Sequence, residues 1–160
     1  MDKEKLKKEL DYERKKEEKI RFLESKHAIV LATSLNGRVT ARTVSFASDG
    51  LDIYFMSWGH HTKCVQIRGN PRVALCRDNV QMEGLAEILG NPLDEKNREY
   101  ADILRSKYPR QHEMFACEPG MVIVRVVLTS VVTFVEIDDR LYLECLDLGN
   151  EIGYLRELAE

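Results

Sequence analysis

The residues best suited to chemistry lie in a short segment that leaves a predicted strand and enters a predicted helix. Residues 57–63 read Ser-Trp-Gly-His-His-Thr-Lys and bring together hydroxyls, imidazoles and an ammonium group. The first amides of a helix have no partner inside it and carry partial positive charge, so an anion is stabilised there. Arg42 lies on the strand before and offers a second cation. The segment therefore predicts a phosphate-binding site.

Two other interpretations of this segment remain open. In the first, Thr62 is a helix cap and Lys63 is an ordinary surface charge. In the second, His60 and His61 bind a metal, although adjacent histidines lack the i, i+4 spacing that places two ligands on one side of a helix. We therefore expect no metal site, and we place both histidines in a loop beside the phosphate.

Length, composition and charge exclude several classes of protein. With 160 residues, 44% of them hydrophobic and 32% charged, the chain has the make-up of one globular domain. A net charge of -3 gives no reason to expect nucleic acid, and the charged first residues and short apolar runs predict neither a signal peptide nor a membrane span. The four cysteines form no CxxC pair, so neither a zinc ribbon nor a thioredoxin-type motif is encoded: Cys64, Cys76, Cys117 and Cys145. With neither a signal peptide nor a membrane span predicted, we expect a cytoplasmic protein with reduced, mostly buried thiols.

Turn signals and apolar runs predict a mainly β fold. Asn36-Gly37 separates two apolar segments and is a strong hairpin signal, because the turn needs positive φ at both residues. Asp49-Gly50 indicates a second turn of the same kind, so residues 27–33, 39–47 and 51–57 form a meander. Four further strands are expected, which gives six or seven in all: residues 72–77, 80–89, 121–137 and 141–145.

Helices are predicted at both ends and between the strands. Residues 3–24 contain no glycine or proline and consist largely of strong helix formers, so we expect a charged helix over residues 1–24. The other expected helices are residues 60–68, 93–108 and 152–158. The short connections favour a small closed barrel or a sandwich with helical decoration. The predicted organisation is a barrel domain over residues 25–146, flanked by the helix of residues 1–24 and a C-terminal helix within residues 147–160.

Five segments occur in an order and spacing that is typical of one known family: residues 41–46, 54–57, 62–63, 70–75 and 81–87. The first two read Ala-Arg-Thr-Val-Ser-Phe and Tyr-Phe-Met-Ser. Together the segments resemble the FMN-binding split β-barrel family, the pyridoxamine 5′-phosphate oxidase-like superfamily. The resemblance implies a six- to seven-stranded antiparallel split β-barrel with an N-terminal helix and helices between the strands.

The resemblance also implies a cofactor and a partner. FMN would bind in clefts between the two protomers of a homodimer. Arg42 would lie near the phosphate, and the backbone of residues 43–45 would face the isoalloxazine ring. Residues 56–57 would meet the ribityl-phosphate tail, and residues 62–63 the phosphate. The cofactor-binding residues that the resemblance implies are Arg42, Thr43, Val44, Ser45, Met56, Ser57, Thr62, Lys63 and Gln81.

The chain departs from the family pattern in two places. The family often has Ser-Arg-Lys where this chain has His61-Thr62-Lys63, so one phosphate-binding guanidinium is missing. True pyridoxamine phosphate oxidases carry an Arg- and Trp-rich terminal segment that binds the substrate, and residues 137–160 do not resemble it. Oxidation of vitamin B6 is therefore not expected.

The expected function is that of an FMN-binding oxidoreductase acting on an unidentified small molecule, with a small-molecule electron donor and acceptor. No residue is assigned a catalytic role, since none is a convincing general acid or base. One alternative is a flavin-binding or stress-associated protein without turnover. The others are relatives that bind the deazaflavin F420, or haem with His27 or His112 as an axial ligand.

Overall fold

The computed structural model of the chain describes residues 7–158, in which ten strands form one antiparallel sheet. The strands are β1 (Lys7–Leu10), β2 (Ala28–Leu35), β3 (Arg38–Ser45), β4 (Ala47–Asp49), β5 (Asp52–Trp58), β6 (Arg72–Arg77), β7 (Val80–Gly90), β8 (Met121–Ile137), β9 (Arg140–Asp147) and β10 (Ile152–Glu157). The helices are α1 (Tyr12–Glu24), α2 (Thr62–Gly69), α3 (Arg98–Lys107) and α4 (Pro109–Phe115), and a 3₁₀ turn (Glu95–Asn97) precedes α3.

The sheet curls into a split barrel. Strand pairing runs in the order β3–β2–β6–β7–β8, and β5 pairs with the first half of β8. The path ends at β3, where the chain bends at Phe46 and continues as β4, which pairs with β5. The ring of strands is therefore interrupted between β3 and β4. Beyond the barrel, β9, β10 and β1 extend the sheet from the second half of β8.

The barrel interior is filled with apolar side chains that alternate along the strands. On β5, Ile53 and Phe55 are fully buried in the barrel core, while Tyr54 packs on the other side in a second cluster with residues of α3. The strand that leads to α2 is therefore covered on both faces. Its end is held in one position, which matters because the residues that follow it line the candidate site.

The end of α3 fixes the bend between β3 and β4. The Tyr108 hydroxyl donates to the Phe46 carbonyl oxygen at 2.8 Å and lies 2.5 Å from the carbonyl oxygen of His27. The Lys107 ammonium lies 4.6 Å from the centre of the Phe46 ring. The Tyr108 hydroxyl thus gives the Phe46 carbonyl oxygen a partner at the point where the strand ladder is interrupted.

The predicted N-terminal helix is confirmed only from Tyr12 onward, and the predicted C-terminal helix is wrong. Residues 7–10 form β1 and residues 152–157 form β10, and these two strands pair with each other. The buried Gly153 and Leu155 alternate with exposed Ile152 and Arg156, which is the pattern of a half-buried strand. The helix near the N-terminus begins only at Tyr12. Residues 1–6 and 159–160 lie outside the described residues.

The mainly β split barrel with helices is confirmed. Residues 7–158 contain ten strands, three more than the seven that the sequence predicted at most. The terminal strands β1 and β10 are additional, and the bend at Phe46 divides one predicted strand into β3 and β4. The two turns also differ in kind: Asn36 and Gly37 both have positive φ, whereas Gly50 alone does so in the second turn.

The helical segment after β7 is longer than predicted, because Pro109 begins α4 directly after α3. The four cysteines are free and only two of them, Cys64 and Cys145, are buried, so the expectation of mostly buried thiols is half correct. Among residues 7–158, no helix is both long and apolar enough to cross a membrane.

Candidate functional site

A cavity of about 150 Å³ opens where β5 ends and α2 begins; we call it the α2 cavity. Ser57 is buried at its edge and Lys63 is half-buried. Residues of β5, the loop to α2, α4 and the start of β8 contribute to its wall: Met56, Ser57, Trp58, His61, Lys63, Gln111, Phe115 and Met121. The cavity therefore contains three of the residues that the sequence predicted, Met56, Ser57 and Lys63.

The first amides of α2 are free to bind a ligand. Cys64 and Val65 donate their amides to the His61 carbonyl oxygen, at 3.0 and 3.1 Å. The preceding amides, those of Thr62 and Lys63, have no backbone acceptor in the described part of the chain. Together with the Lys63 ammonium they place three hydrogen-bond donors at the positive end of the helix dipole.

Arg42 and Lys63 form a pair of partly buried cations. Burial lowers the pKa of Lys63, and the nearby charge of Arg42 lowers it as well. Burial likewise lowers the pKa of Arg42. No carboxylate within residues 7–158 makes an ion pair with either side chain. Two desolvated cations without a counter-charge are unfavourable, so this place in the structure favours an anionic ligand.

A partly buried hydrogen-bond network holds Arg42 in place. Its Nη1 donates to the Leu31 carbonyl oxygen at 3.2 Å and to Thr33 Oγ1 at 2.8 Å, and its Nη2 donates to Thr40 Oγ1. The two threonine hydroxyls in turn donate to Oε1 of the buried Gln66, at 2.5 and 2.6 Å. Since Gln66 lies on α2, the network fixes the position of the Arg42 guanidinium relative to the helix that carries Lys63.

The rest of the predicted β3 residues are divided between two faces of the sheet. Val44 points into the core, whereas Thr43 and Ser45 are exposed. Thr43 is paired with Val30 on β2, and further pairs across β6 and β7 place Gln81 on the same outer face. A cavity of about 400 Å³ on this outer face is lined by Val30, Ala32, Ala74, Leu75, Cys76, Gln81, Met82, Glu83, Ser130 and Val132. Gln81 and Lys63 therefore line different cavities of one chain.

Thr62 differs from the other predicted phosphate residues. It is exposed, it is the first residue of α2, and it is not part of the cavity wall. The capping position belongs to His61, whose side chain makes no capping hydrogen bond. The interpretation of Thr62 as a helix cap is therefore wrong, and Lys63 is more buried than an ordinary surface charge.

Besides Met121 at the start of β8, two further residues of the α2 cavity were not predicted as site residues from the sequence, Gln111 and Phe115. Both lie on α4, and the Phe115 ring meets Trp58 edge-on with 5.6 Å between ring centres. They reach the α2 cavity because α4 packs on the loop after β5. A local sequence pattern does not predict a contact between residues so far apart in the chain. Only Pro109, a good first residue of a helix, signals that a helix starts at this point.

The size of the α2 cavity decides which part of FMN it fits. Drug-sized ligands usually occupy cavities of at least roughly 300 Å³. A cavity of about 150 Å³ has room for a phosphate and the carbons next to it, but not for the flavin ring system. The amides and the Lys63 ammonium suit a phosphate, and the ring needs a second surface.

The histidines considered as haem ligands lie elsewhere. The His27 ring packs against Tyr108, with 6.2 Å between ring centres, and His112 lines a separate cleft beside α3. Neither histidine is part of the α2 cavity wall. Within the described residues, no group of three or more His, Cys, Asp or Glu side chains is placed to hold a metal ion.

Comparisons with known proteins agree with the architecture. The sequence model of the family described as pyridoxamine 5′-phosphate oxidase matches residues 16–137. No curated protein sequence matches the chain. Among solved structures, an FAD-binding protein of Mesorhizobium loti is similar with a TM-score of 0.58 and 18% identity, covering 96% of this chain and 99% of that one.

Two further structures share the fold. An F420 reductase has a TM-score of 0.52 and 26% identity, with coverage of 69% of this chain and 93% of its own. A haem storage protein of Vibrio cholerae has a TM-score of 0.60 and 12% identity, with coverage of 70% and 88%. Proteins with the same barrel thus differ in the cofactor that their names state, so the cofactor of this chain must be argued from its own residues.

Proposed function

The chain belongs to the pyridoxamine 5′-phosphate oxidase family, since the family's sequence model matches residues 16–137, and we propose that it is an FMN-binding oxidoreductase. One observation carries the proposal: Arg42 and Lys63 are partly buried cations without a carboxylate partner in the described residues, and Lys63 lines a phosphate-sized cavity at the start of α2. The phosphate of FMN supplies the missing negative charge.

The residues around the cavity have distinct parts in binding. Lys63 and the free amides of Thr62 and Lys63 donate to the phosphate oxygens, and Arg42 adds a positive charge whose position is set by Thr33, Thr40 and Gln66. Met56 and Met121 give the wall an apolar part suited to the carbons next to the phosphate. Charge-assisted hydrogen bonds of this kind are the strong ones in proteins, so the phosphate anchors the cofactor.

A second copy of the chain completes the site in this proposal. The ring system of FMN lies outside the α2 cavity, and an edge or face of a partner protomer covers it. The outer face of the sheet suits such a contact because it exposes apolar side chains beside Gln81: Val30 is 36%, Leu85 48% and Val127 41% exposed. Gln81 would then contact the flavin bound by the partner protomer rather than the one bound by its own.

The flavin supplies the redox chemistry, accepting and releasing a hydride or electrons, while the protein binds it and shields it from water. A small molecule is the proposed electron donor or acceptor. The named activities of the relatives support a flavin-type group: one similar structure is an FAD-binding protein and another an F420 reductase. F420 is the second candidate cofactor, because the F420 reductase is 26% identical to this chain.

The proposal is tested by titrating the purified protein with FMN, riboflavin and F420 while following flavin fluorescence. FMN and riboflavin differ only in the phosphate. We expect FMN to bind at least about tenfold more tightly than riboflavin, because the phosphate makes several charge-assisted hydrogen bonds. Equal affinity for the two would overturn the phosphate site, and tighter binding of F420 than FMN would replace the proposed cofactor.

Turnover distinguishes an oxidoreductase from a flavin-binding protein without activity. The FMN-loaded protein is mixed with NADH or NADPH under air, and oxidation of the nucleotide is followed together with the flavin absorbance. Oxidation with repeated bleaching and recovery of the flavin band supports the enzyme. If the flavin absorbance stays unchanged with NADH, NADPH and reduced F420, the protein binds flavin without turnover, and the proposed oxidoreductase activity fails.

A further inference from the structure

We propose that His61 is a neutral phosphate-binding residue that takes the place of the missing guanidinium, and that it is paired with Lys63 for this purpose. The inference rests on the proposed function, since it concerns the phosphate of the same cofactor. The sequence pattern placed His61 only in a loop beside the phosphate. The inference gives its side chain a hydrogen bond to the phosphate and specifies the chemical form in which it acts.

The position of His61 makes it available for a ligand. It is the residue immediately before α2, with an extended backbone of φ -63° and ψ 150°. Side chains at this position usually cap the helix, but His61 makes no capping bond and its side chain instead lines the α2 cavity. The imidazole thus stands beside the free amides of Thr62 and Lys63.

The contact with Lys63 determines which ring nitrogen carries the proton. Lys63 Nζ lies 3.4 Å from His61 Nδ1. An ammonium group can only donate, so Nδ1 accepts and the proton of a neutral ring sits on Nε2. Nε2 has no hydrogen-bond partner in the described part of the chain and is not enclosed by protein. The ring therefore has one unused N–H donor.

Two aromatic contacts hold the ring, and its surroundings keep it neutral. The Trp58 ring lies 5.4 Å from the His61 ring and the His60 ring 5.0 Å, centre to centre. Burial lowers the pKa of His61, and the charges of Lys63 and His60 lower it further. The neutral ring keeps Nδ1 as an acceptor, so it orients the Lys63 ammonium and offers Nε2–H at the same time.

The inference is tested with four variants and the FMN and riboflavin titrations. Loss of one hydrogen bond to a charged group predicts that His61→Ala weakens FMN binding about tenfold or more and leaves riboflavin binding unchanged. His61→Gln retains a side-chain donor and is expected to recover part of the loss. His61→Arg restores a guanidinium and is expected to bind FMN at least as tightly as the natural chain. The matched control is His27→Ala, since His27 is an exposed histidine that is not part of the cavity wall.

The outcomes separate this inference from the proposed function. If the natural protein prefers FMN over riboflavin but His61→Ala binds FMN equally well, the inference fails and the flavin site stands. If His61→Ala loses FMN and riboflavin affinity to the same extent, the role of His61 is structural. If the natural protein shows no preference for FMN, the phosphate site itself fails. Nitrogen NMR of the histidine side chains gives a second readout: we expect the Nε2–H tautomer for His61, and the Nδ1–H tautomer would contradict the pairing with Lys63.

Discussion

Lys63 is the residue on which the cofactor site depends most. We expect Lys63→Gln to lower the affinity for FMN by about tenfold or more, because a charge-assisted hydrogen bond to the phosphate is lost. Flavin fluorescence titration measures the change, and riboflavin affinity should stay constant. The matched control is Lys96→Gln, since Lys96 is exposed on the 3₁₀ turn. Equal losses in both variants would mean that only the overall charge of the protein matters.

Sequence reasoning found the part of the α2 cavity formed by the end of β5 and the start of α2, and it missed the part formed by α4. Ser57 and Lys63 were predicted because the end of a strand and the start of a helix follow each other within a few residues. Gln111 and Phe115 were not, since α4 lies about fifty positions further along the chain and reaches the cavity only through tertiary packing. Gln81 was predicted, but it lines the outer-face cavity rather than the α2 cavity.

At the scale of the elements, the pairing of β7 with β8 depends on Gly84. The register between β7 and β8 shifts between Glu83 and Gly84. A Cβ at Gly84 would lie 2.7 Å from the Val127 carbonyl oxygen and 2.8 Å from Val126 Cγ1, and neither neighbour is the free end of a flexible side chain. We expect Gly84→Ala to lower the free energy of unfolding by about 2 kcal/mol, measured by urea denaturation.

The control for that substitution is Gly149→Ala. A Cβ at Gly149 would meet Asp147 Oδ1 at 3.7 Å, an ordinary van der Waals contact. This variant should therefore unfold at nearly the same urea concentration as the natural chain. A Gly84→Ala protein as stable as the control would show that β7 and β8 can adjust at the bulge.

A buried ion network fixes α1 to the sheet. Glu144 on β9 is 6% exposed, with Lys19 Nζ 3.0 Å from its Oε1 and Lys15 Nζ 3.1 Å from its Oε2. The Oε1 contact is an ion pair without an aligned hydrogen bond. Removal of the Glu144 charge leaves the buried Lys19 ammonium unpaired, although Lys15 keeps its pair with Glu18. We therefore expect Glu144→Gln to cost about 3 kcal/mol of unfolding free energy at pH 7. Glu17→Gln, at an exposed pair, should change it by less than about 0.5 kcal/mol.

The same network predicts a dependence of stability on pH. Burial alone would raise the pKa of Glu144, but pairing with Lys19 and Lys15 outweighs burial and lowers it below its ordinary value. A carboxyl group whose pKa is lower in the folded protein stabilises the fold above its unfolded pKa, about 4.3, and loses this contribution as the pH falls further. Urea denaturation from pH 6 down to pH 3 should therefore show a steeper loss for the natural chain than for Glu144→Gln, and parallel curves would contradict this.

The central strands were predictable and the terminal ones were not. Apolar runs with Asn-Gly and Asp-Gly turns define β2, β3 and β5, and β6 and β8 match their predicted limits, residues 72–77 and 121–137. In contrast, residues 7–10 consist of helix formers, and residues 152–157 mix Leu, Arg and Glu with Ile, Gly and Tyr, so neither segment clearly indicates a strand. Each segment becomes a strand because it forms backbone hydrogen bonds with a neighbouring strand: β1 pairs with β10, and β10 pairs with β9. This pairing outweighs the weak local propensity of the residues.

At the scale of the whole molecule, the outer face is the proposed contact between two copies of the chain. We expect the natural protein to have twice the chain mass of 18.5 kDa in sedimentation or light-scattering measurements.

A double variant, Val30→Asp with Leu85→Asp, should be monomeric and bind FMN more weakly, because both side chains are exposed in one chain and would be covered in the dimer. Ile152→Asp is the control, since Ile152 is equally exposed but lies on β10. A monomeric natural protein that binds FMN tightly would overturn this contact.

The central claim is that the start of α2 binds the phosphate of a flavin, and the position of the phosphorus atom in a crystal structure of the protein with FMN tests it most directly. We expect the phosphate to lie in the α2 cavity, within hydrogen-bond distance of the Lys63 ammonium and the amides of Thr62 and Lys63. The claim is contradicted if FMN binds with its phosphate at another place, or if crystals grown with excess FMN contain none.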